Sequence, residues 1–218
     1  MSAQKIIIPT LTEYGEKDFK FWAKELKPYF KSIHVDVIDE SYDKPTWFDE
    51  IDSFQLLTDY QNIRVHLMVE DPVVYLENKR NLLKKEGVIY LIPKTKVDDY
   101  KDFLDLEKLG YNLGIVYEPA DQPNPAPQLF TLVKEFMFMG IIPGATGRSM
   151  VIDVFEKMEK FVKDFKPEAF DIPISVDGGF NEETASKFLH SDAKIIYANS
   201  FFRNHGVKPA IDKLESFN

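Results

Sequence analysis

The sequence predicts a (β/α)8 barrel, or TIM barrel, in which eight parallel strands close into a ring surrounded by helices. Short runs rich in β-branched residues alternate along the chain with longer amphipathic segments, a pattern typical of βαβ units and a parallel sheet. Eight such runs fit into 218 residues, which is near the lower size limit of this fold. Because the alternation continues along the whole chain, we expect a single domain over residues 1–218.

The predicted strands are, in chain order, Lys5–Ile8, Ser32–Val37, Arg64–Val69, Val88–Leu91, Asn112–Tyr117, Glu135–Met139, Ile172–Val176 and Lys194–Ala198. Apolar residues recur at helical spacing after the first strand, at Phe19, Trp22, Leu26 and Tyr29, and before the seventh, at Val154, Met158, Phe161 and Phe165. Each set predicts one apolar helix face. The proline-rich stretch Pro119–Pro127 predicts a loop followed by the start of a helix, since proline is favoured at the first helical position.

An open, doubly wound sheet is the alternative to the barrel. A dinucleotide-binding sheet of that kind carries a Gly-x-Gly-x-x-Gly turn after its first strand. Here the first strand runs into Ile8-Pro9-Thr10-Leu11-Thr12. The barrel is therefore favoured.

Composition narrows the classes of function. The net charge of -9 disfavours a general nucleic-acid binder, which needs a basic surface. The absence of cysteine excludes disulfides and limits any metal site to His, Asp and Glu ligands. The first residues, MSAQKIIIPTL, are too short an apolar run for a signal peptide, and no stretch approaches a membrane span. We therefore expect a cytoplasmic protein with neither a nucleic-acid nor a membrane partner.

Polar residues stand at the ends of three predicted strands. His34 and Asp36 lie two residues apart, so their side chains point to the same side of the second strand. His66 lies on the third strand and Asp177 ends the seventh. A barrel carries its active site at the carboxyl ends of its strands, and buried polar groups need partners. Two imidazoles and two carboxylates without cysteine predict a divalent metal site, for which Zn, Fe, Mn and Co are all suitable.

His190 and His205 lie on a predicted helix end and in a late loop, without carboxylates at strand spacing. For these two histidines we expect ordinary structural roles.

Three segments resemble the ribulose-phosphate 3-epimerase family. His34–Asp39 resembles its H-x-D-x-M-D motif, His66–Pro72 its H-L-M-V-x-x-P motif, and Val176–Phe180 its V-D-G-G-I motif. The three occur in the family's order and at similar separations. Weaker matches at Ile8–Leu11, Met139–Gly147 and Ala198–Ser200 extend the resemblance over nearly the whole chain.

The resemblance implies a ribulose-phosphate-binding type of (β/α)8 barrel. It also implies interconversion of D-ribulose 5-phosphate and D-xylulose 5-phosphate, a step of the pentose phosphate pathway, through movement of a proton at C3. By this resemblance, His34, Asp36, His66 and Asp177 hold the metal. Asp36 and Asp177 are then also the catalytic acid and base, one on each face of a planar enediolate.

The resemblance further implies substrate-binding residues, of which Met68 and Met139 match methionines that line the intermediate. Thr10 replaces a usual serine, and Asn199 replaces a usual glycine before Ser200. Glycines allow the backbone to approach a phosphate closely. The predicted substrate-binding residues are Thr10, Met68, Met139, Gly144, Gly147, Gly178, Gly179, Asn199 and Ser200, and Arg148 is an extra candidate for the phosphate.

Several segments depart from the family pattern, and they leave the substrate open. Ile38 replaces a methionine, and the fourth strand ends in Leu91-Ile92-Pro93 instead of H-x-E. The loops after the second and sixth strands also differ from the family pattern, at Glu40–Pro45 and Ile142–Arg148. The alternatives are an epimerase of another ketose phosphate and a non-catalytic sugar-phosphate-binding descendant. A sugar-phosphate decarboxylase is disfavoured because the third strand lacks the lysine of D-x-K-x-x-D. The many aromatic residues are consistent with a homo-oligomer or with packing between helices and barrel.

Overall fold

A computed structural model describes residues 5–48, 50–78, 87–97, 100–143, 150 and 154–217. Its eight strands form a closed, all-parallel barrel in sequence order, with β1 pairing with β8. The strands are β1 Ile6–Leu11, β2 Ser32–Ile38, β3 Asn62–Met68, β4 Val88–Pro93, β5 Leu113–Tyr117, β6 Val133–Met139, β7 Ile174–Asp177 and β8 Ile195–Ala198. The predicted fold class and all eight predicted strands are confirmed.

Helices follow most of the strands. The described α-helices are α1 Glu16–Leu26, α2 Glu50–Leu57, α3 Pro72–Asn78, α4 Tyr100–Lys108, α5 Val154–Phe165, α6 Ala185–His190, α7 Ser200–His205 and α8 Val207–Ser216. Within the described part of the chain, none of them is long and apolar enough to cross a membrane.

The connection between β5 and β6 is a loop followed by a helix that begins at a proline, as predicted. The helix is a short 3-10 helix, Pro127–Thr131, and not an α-helix. Each proline before it lacks an N–H group and pushes the preceding residue toward extended backbone. Only the six residues 127–132 lie between the start of this helix and β6, which begins at Val133, and they allow little more than one turn.

The barrel has two hydrophobic cores, one between its strands and the helices and one inside it. The larger lies between strands and helices, where α5 contributes Val154, Met158 and Phe161. The largest fully buried side chains are all Tyr or Phe, so many of the aromatic residues serve this core. On α1, Phe19 and Leu26 are buried as predicted, but Tyr29 lies beyond the helix end and is exposed.

The smaller core fills the inside of the barrel. It comprises Ile8, Leu91, Val116, Met137, Met139, Ile141, Ile195 and Tyr197. Alternation along each strand places His34 and Asp36 on the inner side of β2. The register then pairs Asp36 with His66 on β3, and Met139 on β6 with Asp177 on β7. The strand ends that carry these polar residues therefore meet at one mouth of the barrel.

Candidate active site

Four side chains from three strands meet at this mouth. One ligand atom from each of His34, Asp36, His66 and Asp177 lies within 4.8 Å of the others. Both histidines are fully buried, Asp36 is buried, and Asp177 is partly buried. The sequence prediction that these four residues converge is confirmed.

Among the residues that the structure describes, three members of this cluster have buried polar atoms without hydrogen-bond partners. His34 Nε2, Asp36 Oδ1 and both ring nitrogens of His66 are buried and unpaired. His66 Nδ1 and Asp36 Oδ1 are 3.3 Å apart but do not have hydrogen-bond geometry. A buried unpaired polar group costs about 1–3 kcal/mol, so one such atom from each of His34, Asp36 and His66 in one place calls for a common partner. Two imidazoles and two carboxylates are a donor set that fits a divalent cation.

Neighbouring hydroxyls orient two of these side chains. Thr10 Oγ1 is 3.1 Å from His34 Nδ1, and Thr12 Oγ1 donates to Asp36 Oδ2. When His34 Nδ1–H donates to Thr10, the Nε2 lone pair is directed into the cluster. Burial lowers the pKa of His34 to about 3, so the ring is neutral, which is the form that binds a metal.

The environments of the two carboxyls push their pKa values apart. Burial alone would raise the pKa of Asp36, but the His34 and His66 rings and the Thr12 hydroxyl outweigh it, and the pKa lies below its ordinary value. Burial and the Asp36 charge raise the pKa of Asp177 well above its ordinary value. The metal-free site therefore favours an ionised Asp36 beside a protonated Asp177, as expected of an acid and base pair.

A second polar layer lies beneath the cluster, inside the barrel. Glu135 is fully buried and accepts hydrogen bonds from the hydroxyls of Tyr197 and Ser175 (2.6 Å). Its other oxygen accepts from Arg64 Nε at 3.1 Å. The Tyr197 ring in turn stacks on His34. This network supports the candidate metal ligands from below.

The predicted substrate-binding residues differ in where the structure places them. Met68 and Met139 are buried at the ends of β3 and β6. Met68 lies on the same side of β3 as His66, and Met139 on the same side of β6 as Met137. Thr10 contacts His34, so its hydroxyl is engaged within the protein. Gly144 and Gly147, together with Arg148, lie outside the described residues.

Gly178 and Gly179 have positive φ angles of 91° and 88°, which side chains other than glycine rarely adopt. A Cβ atom would lie 2.5 Å from Ile141 at the first position and 2.4 Å from Met150 at the second. Packing alone therefore requires both glycines, and their contact with a phosphate stays a prediction.

Asn199 lies between β8 and α7, and Ser200 is the first residue of α7. The Asn199 side chain donates to Thr12 Oγ1 at 2.7 Å and accepts from Arg203 Nε at 3.2 Å. It is thus joined through Thr12 to Asp36. Its side chain supports the carboxylate, while the predicted contact with substrate remains untested.

His190 ends α6, as predicted, but His205 ends α7 instead of lying in a loop, and its Nε2 atom is 3.1 Å from Glu182 Oε1. Their Nδ1 atoms lie 2.7 Å from the Ser186 carbonyl oxygen and 2.8 Å from the Phe201 carbonyl oxygen, respectively. The expected structural roles agree with this placement.

Sequence reasoning missed Thr12 and Glu135 as parts of the site. Spacing offered a signal for both: Thr12 follows Thr10 by two residues, and Glu135 precedes Met137 and Met139 at strand spacing. Side chains at such positions share the inner side of a strand.

Comparison with known proteins identifies relatives by sequence. The model of the ribulose-phosphate 3 epimerase family matches residues 15–202. A protein of Chlamydia muridarum named ribulose-phosphate 3-epimerase is 26% identical over 176 residues, which cover 78% of this chain and 75% of that protein. One of the same name from Bacillus subtilis is 25% identical over 193 residues, covering 84% and 86%.

Solved structures share the fold at lower identity. 3-Keto-L-gulonate-6-phosphate decarboxylase from Vibrio cholerae aligns with a TM-score of 0.61 at 14% identity, over 100% of both chains. Tryptophan synthase subunit alpha from Campylobacter jejuni aligns with a TM-score of 0.58 at 16% identity, over 100% of this chain and 97% of that one. At such identities the likeness concerns the barrel alone.

Proposed function

This chain belongs to the ribulose-phosphate 3 epimerase family and is an isomerase, and we propose that it interconverts D-ribulose 5-phosphate and D-xylulose 5-phosphate with one bound divalent metal ion. His34, Asp36, His66 and Asp177 would hold the ion. The observation that carries this proposal is that ligand atoms of the four residues lie within 4.8 Å of one another, while His34, Asp36 and His66 have buried nitrogen or oxygen atoms without a partner among the described residues.

The donor set limits the ion without choosing it. Two imidazole nitrogens and two carboxylate oxygens suit Zn, Fe, Mn or Co. Such an ion supplies positive charge beside the ketone and hydroxyl oxygens of the substrate, which makes the proton on the neighbouring carbon more acidic.

Asp36 and Asp177 move the proton. They stand on β2 and β7, which are separated by β8 and β1 in the closed ring, so they can lie on opposite faces of the substrate. The ionised carboxylate takes the proton from C3, leaving a planar enediolate, and the protonated carboxyl delivers its proton to the other face. The configuration at C3 is thereby inverted, and the two carboxyls exchange protonation states.

The remaining predicted residues position the sugar. Met68 and Met139 provide apolar walls beside the reacting carbon and exclude water from it. Backbone groups at Gly178, Gly179 and Ser200 would bind the phosphate, because the loops after strands seven and eight of barrels often form such a site. Gly144 and Gly147 would complete it.

Metal analysis tests the ligand assignment. Protein purified without chelator should contain close to one divalent ion per chain, and His66→Ala should lose most of it. His190→Ala is the matched control, since that imidazole lies on α6 and should leave metal content unchanged. Full occupancy in His66→Ala would refute the assignment.

Turnover tests the reaction. The metal-loaded protein should convert D-ribulose 5-phosphate to D-xylulose 5-phosphate, and a chelator should abolish conversion until metal is restored. Conversion that is unaffected by complete removal of metal would contradict the metal-dependent reaction. Exchange at C3 of another ketose phosphate, without action on D-ribulose 5-phosphate, would show that the substrate differs.

A further inference from the structure

Three connecting segments place polar side chains together at the mouth of the barrel. Glu118 directly follows β5, Tyr42 lies after β2, and Lys96 ends the short turn after β4. The Tyr42 hydroxyl donates to Glu118 Oε1 at 3.2 Å. The ammonium group of Lys96 lies 5.2 Å from the centre of the Tyr42 ring. We call these three residues the rim cluster.

Glu118 of the rim cluster faces the candidate active site. Val116, two residues earlier on β5, belongs to the core inside the barrel, and alternation directs the side chain at position 118 to the same side. Burial and Asp121 raise the pKa of Glu118, whereas the hydrogen bond from Tyr42 and the nearby His66 and Lys96 lower it. His66 of the four-residue site is thus one of the charged or polar groups that act on the Glu118 carboxyl.

The turn that carries Glu118 is firmly held. The Glu118 N–H donates to Asp121 Oδ2 at 2.8 Å, and the Asp121 N–H donates to the Glu118 carbonyl at 3.0 Å. Lys157 on α5 donates to the carbonyl oxygens of Glu118, Pro119 and Asp121 at 3.3, 2.8 and 2.7 Å. A carboxylate on such a turn is positioned before any ligand arrives, which favours binding.

The free oxygen of this carboxylate is available to a ligand. Tyr42 occupies Oε1, while Oε2 accepts no hydrogen bond from the residues that the structure describes. In the ring of eight strands β5 lies opposite β1, away from the loops after β7 and β8 at which a phosphate is expected. A substrate whose phosphate lay at those loops would direct its other end toward the rim cluster.

We propose that the rim cluster binds the C1 hydroxyl of the substrate, with Glu118 accepting its hydrogen bond, and so selects ketose phosphates that carry a hydroxyl at C1. The inference rests on the proposed function, in which C2 and C3 react at the neighbouring four-residue site. C1 is bonded to C2, so its hydroxyl lies next to that site. Tyr42 and Lys96 position the carboxylate.

Paired substrates with and without the C1 hydroxyl test this proposal. D-Xylulose 5-phosphate and 1-deoxy-D-xylulose 5-phosphate differ at C1 alone, and proton exchange at C3 in deuterated water is measurable for both. Wild-type kcat/KM should favour the hydroxylated sugar by roughly 10- to 100-fold, the usual worth of a hydrogen bond to a charged group. Glu118→Ala should reduce this preference to near unity, with little change for the 1-deoxy sugar.

Two variants serve as references. Glu118→Gln keeps an acceptor oxygen and should restore part of the preference. Glu107→Ala removes an exposed glutamate of α4 and should keep the full preference. An unchanged preference in Glu118→Ala, or none in the wild type, would overturn the proposal.

Binding separates this proposal from the proposed function. Calorimetry on the metal-loaded protein should give weaker binding of the 1-deoxy sugar to the wild type and equal binding of both sugars to Glu118→Ala. If no sugar phosphate exchanges its C3 proton, the proposed reaction fails, yet the two affinities still decide the role of Glu118. Equal affinities of both sugars for the wild type would refute that role.

Discussion

The imidazole ring of His34 stacks on the phenol ring of Tyr197, with ring centroids 4.1 Å apart and planes inclined by 20°. The Tyr197 hydroxyl donates to Glu135, which also binds Arg64. A buried network deep in the barrel thus fixes the ring of one proposed metal ligand. Such supporting contacts commonly determine how well ligands are preorganised.

Substitution of Tyr197 should separate stacking from hydrogen bonding. Tyr197→Leu removes the ring beside His34 and should weaken metal binding by about tenfold or more. Tyr197→Phe keeps the ring, so metal affinity should stay near that of the wild type while Glu135 loses one donor. Competition with a chromophoric chelator measures both affinities. Equal affinities in the two variants would show that stacking does not orient His34.

The Thr10 hydroxyl should affect metal affinity by orienting the His34 ring. Thr10→Val preserves shape but removes the hydroxyl that lies 3.1 Å from Nδ1, so the ring is less firmly oriented and metal affinity should fall by roughly 10- to 100-fold. Thr131→Val alters an exposed hydroxyl in the turn before β6 and is the matched control. The same chelator competition applies, and an unchanged affinity in Thr10→Val would refute this role.

Removal of one partner of the Glu135–Arg64 pair should destabilise the fold. Glu135→Ala leaves the largely buried Arg64 and two hydroxyls without their acceptor, which should lower the free energy of unfolding by about 3–5 kcal/mol. A double variant, Glu135→Leu with Arg64→Met, leaves no unpaired charge and should lose less. Urea denaturation measures both, and a loss below about 1 kcal/mol in Glu135→Ala would contradict this account.

The sequence predicted the barrel and its four convergent side chains because both depend on strand periodicity. A spacing of two fixes which side of β2 His34 and Asp36 occupy, and strand order then brings His66 and Asp177 to the same mouth. The helix expected at Pro127 is present, but it is a short 3-10 helix because β6 begins at Val133.

The rim cluster had no such local signal. Tyr42, Lys96 and Glu118 lie on three separate connections, and their meeting depends on loop paths that no residue spacing encodes. Spacing places Glu135 on the inner side of β6, but its hydrogen-bond network joins residues of β3, β6, β7 and β8, whose contact follows from closure of the whole barrel.

The ionised Glu118 carboxylate should lower the free energy of unfolding at neutral pH. Its pKa in the folded protein is raised above the ordinary value of 4.5, chiefly by burial, so folding favours the protonated form. The stability that the protonated Glu118 contributes is complete below about pH 4 and is lost as the pH rises through the folded pKa. Glu118→Gln should therefore be slightly more stable than the wild type at pH 7, by about 1 kcal/mol or less because the group is only partly buried. Denaturation at pH 4 and pH 7 checks whether the difference shrinks in acid, and a larger gain at pH 4 would contradict the assigned direction.

Proton exchange at C3 in deuterated water, followed by NMR on the wild type, Asp36→Asn and Asp177→Asn, tests the central claim most directly. The wild type should place deuterium at C3 of both epimers. Each variant should epimerise at least about a hundredfold more slowly, the usual worth of a positioned acid or base. Each should also still exchange the proton of one epimer through its remaining carboxylate, with the two variants acting on opposite epimers. Epimerisation at the wild-type rate in Asp177→Asn, or exchange of both epimers in both metal-loaded variants, would contradict the two-carboxylate account.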